Sequence, residues 1–119
     1  MSADPYNRKV RDSFAAPPHA GELAGGIDAR VDAGDLRVEF AATLEDGRIA
    51  ALRFRARGCP HVIAAAEWVC DYYEGKPAEA LEVFPIARIM EDLAVPTEKT
   101  GRILVLEDAI QSLGRRLKH

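Results

Sequence analysis

The sequence predicts an α+β domain in which an antiparallel meander sheet is covered on one side by helices. Two stretches, residues 36–44 and 50–56, place apolar side chains at every second position, a pattern typical of half-buried strands. From residue 60 onward the apolar period becomes helical. Strands that are followed by a run of helices favour an α+β arrangement.

Length and composition indicate a single domain over residues 1–119. The hydrophobic content of 48% and charged content of 29% are typical of a globular protein. The net charge of -3 argues against a nucleic-acid partner, and no apolar run approaches the ~20 residues of a membrane span. Because the opening segment lacks the apolar core of a signal peptide, we expect a cytoplasmic protein with reduced thiols.

A hairpin is predicted between the two strands, with a three-residue loop over residues 45–47. With Gly47 left-handed, this loop sets Phe40 opposite Leu52 and keeps the apolar side chains on one face. A two-residue loop would mix the faces, because a shift of one residue reverses every side chain. Residues 19–35, rich in Gly, Ala and Asp without a clear period, are predicted to be mostly loop.

Helical periodicity predicts five further segments, and residues 1–5 are expected to be frayed. In the helix that begins at Pro60, Glu67 and Glu74 lie largely off the apolar face, and Gly75 ends the helix. The predicted segments are residues 6–14, 60–74, 77–82, 86–93 and 102–117.

The two cysteines are predicted to be separate thiols. Cys59 and Cys70 span one helix, about 16 Å at 1.5 Å per residue, whereas a disulfide needs Cα atoms within about 7 Å. Cys70 shares the apolar face of the helix, which indicates core packing. Cys59 lies between a strand and a helix, where the helix N-terminus favours the thiolate. The alternative for Cys59 is a small residue buried at a tight junction.

The neighbours of Cys59 in sequence offer limited help to its sulfur. Arg53, Arg55 and Arg57 are candidates for stabilising a thiolate. His61 forms a Cys-x-His pair with Cys59, but a stable metal site takes three or four ligands, and a surface histidine in the first helical turn is the alternative. A nucleophilic Cys59 with His61 as base lacks an orienting third group, so we predict no enzyme.

The other two histidines, His19 and His119, have no partner that the sequence reveals.

Four blocks along the chain resemble one family. They are YNRKVRDSFAAPPHAG, AGDLRVEFAATLEDGRIAALRFRARGCPHVIAAAEWVCDYYEGK, VPTEK and RILVLEDAIQSLGRR. In order and spacing the chain resembles the IscU/NifU N-terminal-type scaffolds, on which iron–sulfur clusters are assembled. The resemblance implies a three-stranded antiparallel sheet with helices packed on one side, and a role in iron–sulfur cluster biogenesis.

The resemblance also implies a metal site, which this chain retains only in part. The family holds a cluster, or zinc in its place, with three cysteines helped by a nearby Asp or His. The first cysteine falls on Ala33 and the second on Cys59, and the nearby aspartate is present as Asp35. The histidine falls on Gly101 and the third cysteine on Arg102. Cys59 and Asp35 remain as candidate ligands of iron or a cluster, and we expect little or no bound zinc.

Arg102 places a permanent positive charge where the family has a thiolate. A guanidinium there would repel Fe²⁺ or Zn²⁺. Our hypothesis is that Arg102 forms a bidentate ion pair with Asp35 and closes the old site beside Cys59. The alternative is that Arg102 extends into solvent.

For partners, the resemblance implies a cysteine desulfurase that delivers persulfide sulfur to Cys59. In a second arrangement Cys59 supplies one ligand of a cluster shared between two copies of the chain, as a homodimer. VPTEK resembles the segment that a specialised Hsp70-type chaperone recognises, but Thr97 and Glu98 interrupt it, which counts against that partner. The competing hypothesis is a metal-free interaction or regulatory module in which Cys59 is structural.

Overall fold

The computed structural model of the protein describes residues 6–118 and confirms an α+β fold. The frayed start predicted for residues 1–5 and the missing partner of His119 lie outside this range. The helices are α1 (Arg8–Ala15), α2 (Pro60–Tyr73), α3 (Ile86–Asp92) and α4 (Thr100–Leu117), the strands are β1 (Ile27–Ala33), β2 (Leu36–Glu45) and β3 (Arg48–Arg57), and two 3-10 helices span Ala78–Glu82 and Thr97–Lys99.

The three strands form one antiparallel sheet in the order β1-β2-β3. The prediction of mostly loop for residues 19–35 is therefore wrong over β1. An alternation is present there, but its inward positions are small: Ala29 is buried, while Val31 and Ala33 are half-buried. An edge strand with so little apolar surface gives a weak pattern in the sequence.

The β2–β3 hairpin has a different register from the predicted one. Asp46 and Gly47 alone form the turn, with φ values of 53° and 76°, as a two-residue hairpin turn requires. A bulge between Thr43 and Leu44 then shifts the register by one residue, so that Phe40 pairs with Phe54 rather than Leu52. The apolar faces still match, because the bulge restores what the shorter turn would have reversed.

The helices cover one face of this sheet. Helix α4 packs on β1 and β2, α2 packs on β3, and α1 packs on α2. Cys70 is fully buried among them as a free thiol; burial raises the pKa of that thiol above its ordinary value. No helix within residues 6–118 is long and apolar enough to cross a membrane.

A part-buried ionic network joins the segment before β1 to α2 and β3. The His19 Nδ1 atom lies 2.6 Å from Glu67 Oε2, and the His19 backbone N–H donates to Glu67 Oε1 at 2.7 Å. Across the ring, Nε2 lies 3.3 Å from Glu74 Oε1. The other oxygen of Glu74 accepts hydrogen bonds from the Leu52 N–H and from Arg53. Glu67 is therefore buried in the network, contrary to its predicted place off the apolar face.

The network shifts the titration of its members. Burial alone would lower the pKa of His19, but its hydrogen bonds and charge attraction to Glu67 and Glu74 outweigh burial and raise it. For Glu74, burial raises the pKa, but the Leu52 N–H, Arg53 and His19 together outweigh it and lower the pKa. The network is therefore strongest when His19 is protonated and Glu74 is ionised.

This coupling predicts a pH-dependent stability. Because the pKa of His19 is raised in the folded state, its contribution is fully present below the unfolded pKa of about 6.5 and is lost as pH rises through the folded value. We expect the free energy of unfolding, measured in urea, to fall as pH rises above neutrality. The His19→Gln variant should be less stable at pH 6 and show a flatter profile. If the variant keeps the wild-type pH slope, His19 is not the group responsible.

Candidate functional site

Cys59 lies at the strand-to-helix junction, as the sequence predicts. It precedes Pro60, the first residue of α2, with extended backbone angles (φ −74°, ψ 166°). Its carbonyl accepts hydrogen bonds from the N–H groups of Val62 and Ile63 at 2.9 and 3.2 Å. The side chain forms no capping hydrogen bond and is half-buried. The sulfur is therefore held at the mouth of a helix without being committed to its backbone.

The same end of the sheet carries Asp35. The β1–β2 turn consists of Gly34 and Asp35, and the pairing of Arg37 with Arg57 aligns this turn with the end of β3. Gly58 makes the approach possible, because a Cβ at that position would lie 2.6 Å from the Leu36 Cδ2 atom. The absence of a side chain at Gly58 thus lets the junction lie directly on the residue that follows Asp35.

Adding a methyl group to Gly58 should disturb this junction. Gly58→Ala is expected to lower the free energy of unfolding by about 1–3 kcal/mol, since overpacking forces neighbouring groups to shift. Gly101→Ala is the matched control, because a Cβ there meets nothing within 4 Å and alanine favours a helix by about 1 kcal/mol over glycine. Urea denaturation measures both. Equal stability of Gly58→Ala and wild type would show that the junction has room to spare.

Lys99 is the cation that contacts the Cys59 sulfur. Its Nζ atom lies 3.8 Å from Cys59 Sγ and 3.0 Å from His61 Nδ1. It also lies 5.4 Å from the centre of the Tyr6 ring. Lys99 ends the second 3-10 helix, 40 residues after Cys59, so the local sequence gave no signal for this contact.

The arginines expected to assist Cys59 are engaged elsewhere. Arg53 pairs with Glu74 at 2.7 Å, and Arg55 pairs with Glu22 at 3.1 Å. Arg57 is exposed at the end of β3, and its charge acts on Asp32. The expectation that these side chains stabilise the thiolate is therefore not supported, and Lys99 takes that place.

His61 is buried rather than a surface residue, with 1% of its surface exposed. Its ring packs against Tyr6 with centroids 4.7 Å apart. Because an ammonium group can only donate, Nδ1 accepts from Lys99 and the ring proton must sit on Nε2, which has no hydrogen-bond partner. Burial first, and then the Lys99 charge, lower the pKa of His61, so the ring is neutral at physiological pH.

Arg102 and Asp35 approach each other without forming the predicted bidentate pair. Arg102 Nη1 lies 3.9 Å from Asp35 Oδ1, beyond hydrogen-bonding distance, and the Asp35 side chain is 83% exposed. Ala33, at the end of β1, and Gly101, in the first turn of α4, supply no side-chain donor. The contact is a long, solvent-exposed ion pair.

The side chains at this end of the sheet do not fit a metal ion held by one chain. Within residues 6–118, no group of three or more His, Cys, Asp or Glu side chains is arranged to hold a metal. The remaining donors, one thiol and one exposed carboxylate, are fewer than the three or four ligands of a stable site.

Comparison with known proteins accounts for this arrangement of elements. The family model described as the NifU-like N terminal domain matches residues 5–113. The chain belongs to this family. Its likeness to the IscU/NifU-type scaffolds, inferred from motifs, is thereby confirmed.

Two curated relatives are similar over most of their length. The iron–sulfur cluster assembly scaffold protein IscU of Azotobacter vinelandii is 28% identical, over 96% of this chain and 94% of the relative. IscU of Escherichia coli strain K12 is 25% identical, over 90% of this chain and 89% of the relative.

Solved structures agree on the fold. A NifU-like N-terminal protein from Brucella abortus superposes with a TM-score of 0.74 at 15% identity, covering 94% of this chain and 93% of that one. A putative iron–sulfur cluster assembly scaffold protein for the SUF system of Fervidobacterium islandicum gives 0.66 at 15% identity, covering 90% and 94%. At these identities the likeness establishes the architecture alone.

Restoring the family's cysteines should create a metal site. We expect the isolated wild-type chain to contain no stoichiometric zinc and to leave the absorption of added Co²⁺ unchanged. The Ala33→Cys/Arg102→Cys variant should bind Co²⁺ and show thiolate charge-transfer bands, because it supplies three sulfur ligands. Ala33→Cys alone, which keeps the guanidinium, is the control. Stoichiometric metal in the wild-type monomer would contradict a degenerate site.

Proposed function

We propose that the protein acts in iron–sulfur cluster assembly as a scaffold-type protein that accepts sulfur on Cys59. Membership of the NifU-like N-terminal family over nearly the whole chain, and the likeness to IscU scaffold proteins, support the process. The observation that carries the role of Cys59 is its half-buried sulfur at a helix N-terminus, with the Lys99 ammonium 3.8 Å away. In this role the chain is a carrier rather than an enzyme.

The partner that fits this role is a cysteine desulfurase, which carries sulfur as a persulfide. The Cys59 thiolate attacks the terminal sulfur of that persulfide, and a new S–S bond forms on Cys59 while the S–S bond of the donor breaks. The donor cysteine leaves as a thiolate, and the terminal sulfur keeps its proton. One S–S bond replaces another, so no external oxidant or reductant is required.

The electrostatics around Cys59 favour such a step. The attacking group must be ionised, and both the positive end of α2 and the Lys99 charge stabilise an anionic sulfur. The half-buried position of Cys59 leaves one side of the sulfur open to a donor. Cys70, by contrast, is fully buried and its thiol is held in the protonated form.

We propose further that Arg102 prevents the isolated chain from holding metal. A fixed guanidinium 3.9 Å from Asp35 balances the charge of the one remaining carboxylate at this end of the sheet. A divalent ion brought between Asp35 and Cys59 would meet this positive charge without the two missing thiolates. The iron of a growing cluster would therefore need ligands from outside the chain, either a second copy or another protein.

A Hsp70-type chaperone fits less well as a partner. Thr97 and Glu98, which depart from the family's chaperone-recognition segment, are both exposed in the second 3-10 helix and so change the surface that a partner would meet.

Sulfur transfer to Cys59 is directly testable by mass spectrometry. The chain is incubated anaerobically with a cysteine desulfurase and cysteine, and the peptide containing Cys59 should gain the mass of one sulfur atom. Cys70→Ala should be loaded like wild type, whereas Cys59→Ser should remain unloaded. Stable binding of the desulfurase without any sulfur on Cys59 would favour the competing role, a metal-free interaction or regulatory module.

A further inference from the structure

We propose that Lys99, held in place by His61, forms an anion-binding position beside Cys59 whose ligand is the terminal sulfur of a persulfide on that residue. This inference rests on the proposed function for the identity of the ligand. The anion-binding position itself rests on the contacts of Lys99 and can be tested without any partner protein.

The distances suit a persulfide. A terminal sulfur lies about 2 Å beyond the sulfur to which it is bonded. Rotation about the Cβ–Sγ bond of Cys59 can therefore bring it into contact with the Lys99 Nζ atom, which lies 3.8 Å from Sγ. The terminal sulfur of a persulfide is anionic at neutral pH, so the ammonium offers it both a charge and a hydrogen-bond donor.

His61 supplies the restraint that an anion position requires. A lysine side chain has many conformations, and holding it in one of them is unfavourable. The neutral His61 ring is fixed by burial and by the Tyr6 ring, and its Nδ1 atom accepts one of the three ammonium protons at 3.0 Å. Another proton faces Cys59, which leaves a third donor for an incoming anion.

The buried Nε2–H of His61 supports this interpretation. It has no hydrogen-bond partner, and a buried donor without a partner is destabilising. Turning Nδ1 toward Lys99 therefore leaves a penalty at the other end of the ring. The residue is better explained by its hold on Lys99 than by a contribution to the stability of the core.

The charge of Lys99 is available to a ligand. Lys9 pairs with Asp92, and Lys118 pairs with Glu82. Within residues 6–118 Lys99 makes no ion pair with a carboxylate, and its neighbours are a thiol, a neutral imidazole and an aromatic ring. Asp35, at the same end of the sheet, is instead near Arg102.

The decisive measurement compares an anionic and a neutral reagent at one pH. Iodoacetate and iodoacetamide attack the same thiolate, so the ratio of their rates at Cys59 cancels the ionised fraction and reports the local positive charge. We expect Lys99→Met to lower the iodoacetate/iodoacetamide ratio about fivefold, the effect of a partly exposed charge pair. Lys99→Arg should retain most of the ratio, and Lys118→Met, the matched control, should leave it unchanged. An unchanged ratio in Lys99→Met would overturn the proposal.

Two variants of His61 test the restraint. His61→Asn places an amide oxygen near the position of Nδ1 and should keep the ratio, whereas His61→Leu removes the acceptor and should lower it. Circular dichroism and thermal melting establish that each variant is folded. If His61→Leu does not fold, the comparison of Lys99→Met with Lys99→Arg still decides whether the anion position exists.

The identity of the ligand is tested by equilibrating the chain with a mixture of glutathione and glutathione persulfide. Wild type should hold about threefold more persulfide on Cys59 than Lys99→Met, because the ammonium favours the anionic terminal sulfur. Equal occupancy would remove persulfide as the ligand even if the rate ratio falls. A lowered ratio together with failure of a desulfurase to load Cys59 would leave the anion position standing and the proposed function contradicted.

Discussion

The close approach of Gly58 to Leu36 is the constraint on which the functional end of the molecule depends. Helix α2 must begin immediately after β3 in order to pack back on the sheet, and no side chain fits between the two elements at that point. Cys59 is consequently the residue that caps α2, with its sulfur at the end of the sheet where the β1–β2 turn lies. The position of the thiol is set by backbone packing and requires no metal.

Charged side chains occupy the region where relatives of this family place metal ligands. Lys99 contacts the sulfur of Cys59, and Arg102 lies near the carboxylate of Asp35. Both cations come from the segment that leads into α4, and both face a residue at the end of the sheet. At the other side of β3, the network of His19, Glu67 and Glu74 ties the loop before β1 to α2. Ionic contacts of the chain itself thus secure both sides of the sheet.

The sequence predicts those features that depend on local periodicity and fails where distant residues decide. The helical segments and the apolar faces of β2 and β3 follow from spacing alone. Strand β1 escapes because its inward residues, such as Ala29, bury little apolar surface, and the hairpin register escapes because a bulge cannot be read from alternation. The partners of His19 and of Cys59 lie 40 to 55 residues away, so only the folded structure reveals the network and the role of Lys99.

Sulfur acceptance and metal binding place different demands on a site, and this separates what the chain keeps from what it lacks. Accepting sulfur requires one accessible thiolate and a cation to stabilise the anion that results. Holding a metal ion or cluster requires three or four donors and no competing positive charge. Cys59 with Lys99 meets the first demand, whereas Ala33 and Arg102 exclude the second within one chain. A chain of this kind can receive sulfur by itself, but the step that joins sulfur to iron must borrow ligands from a second protein surface.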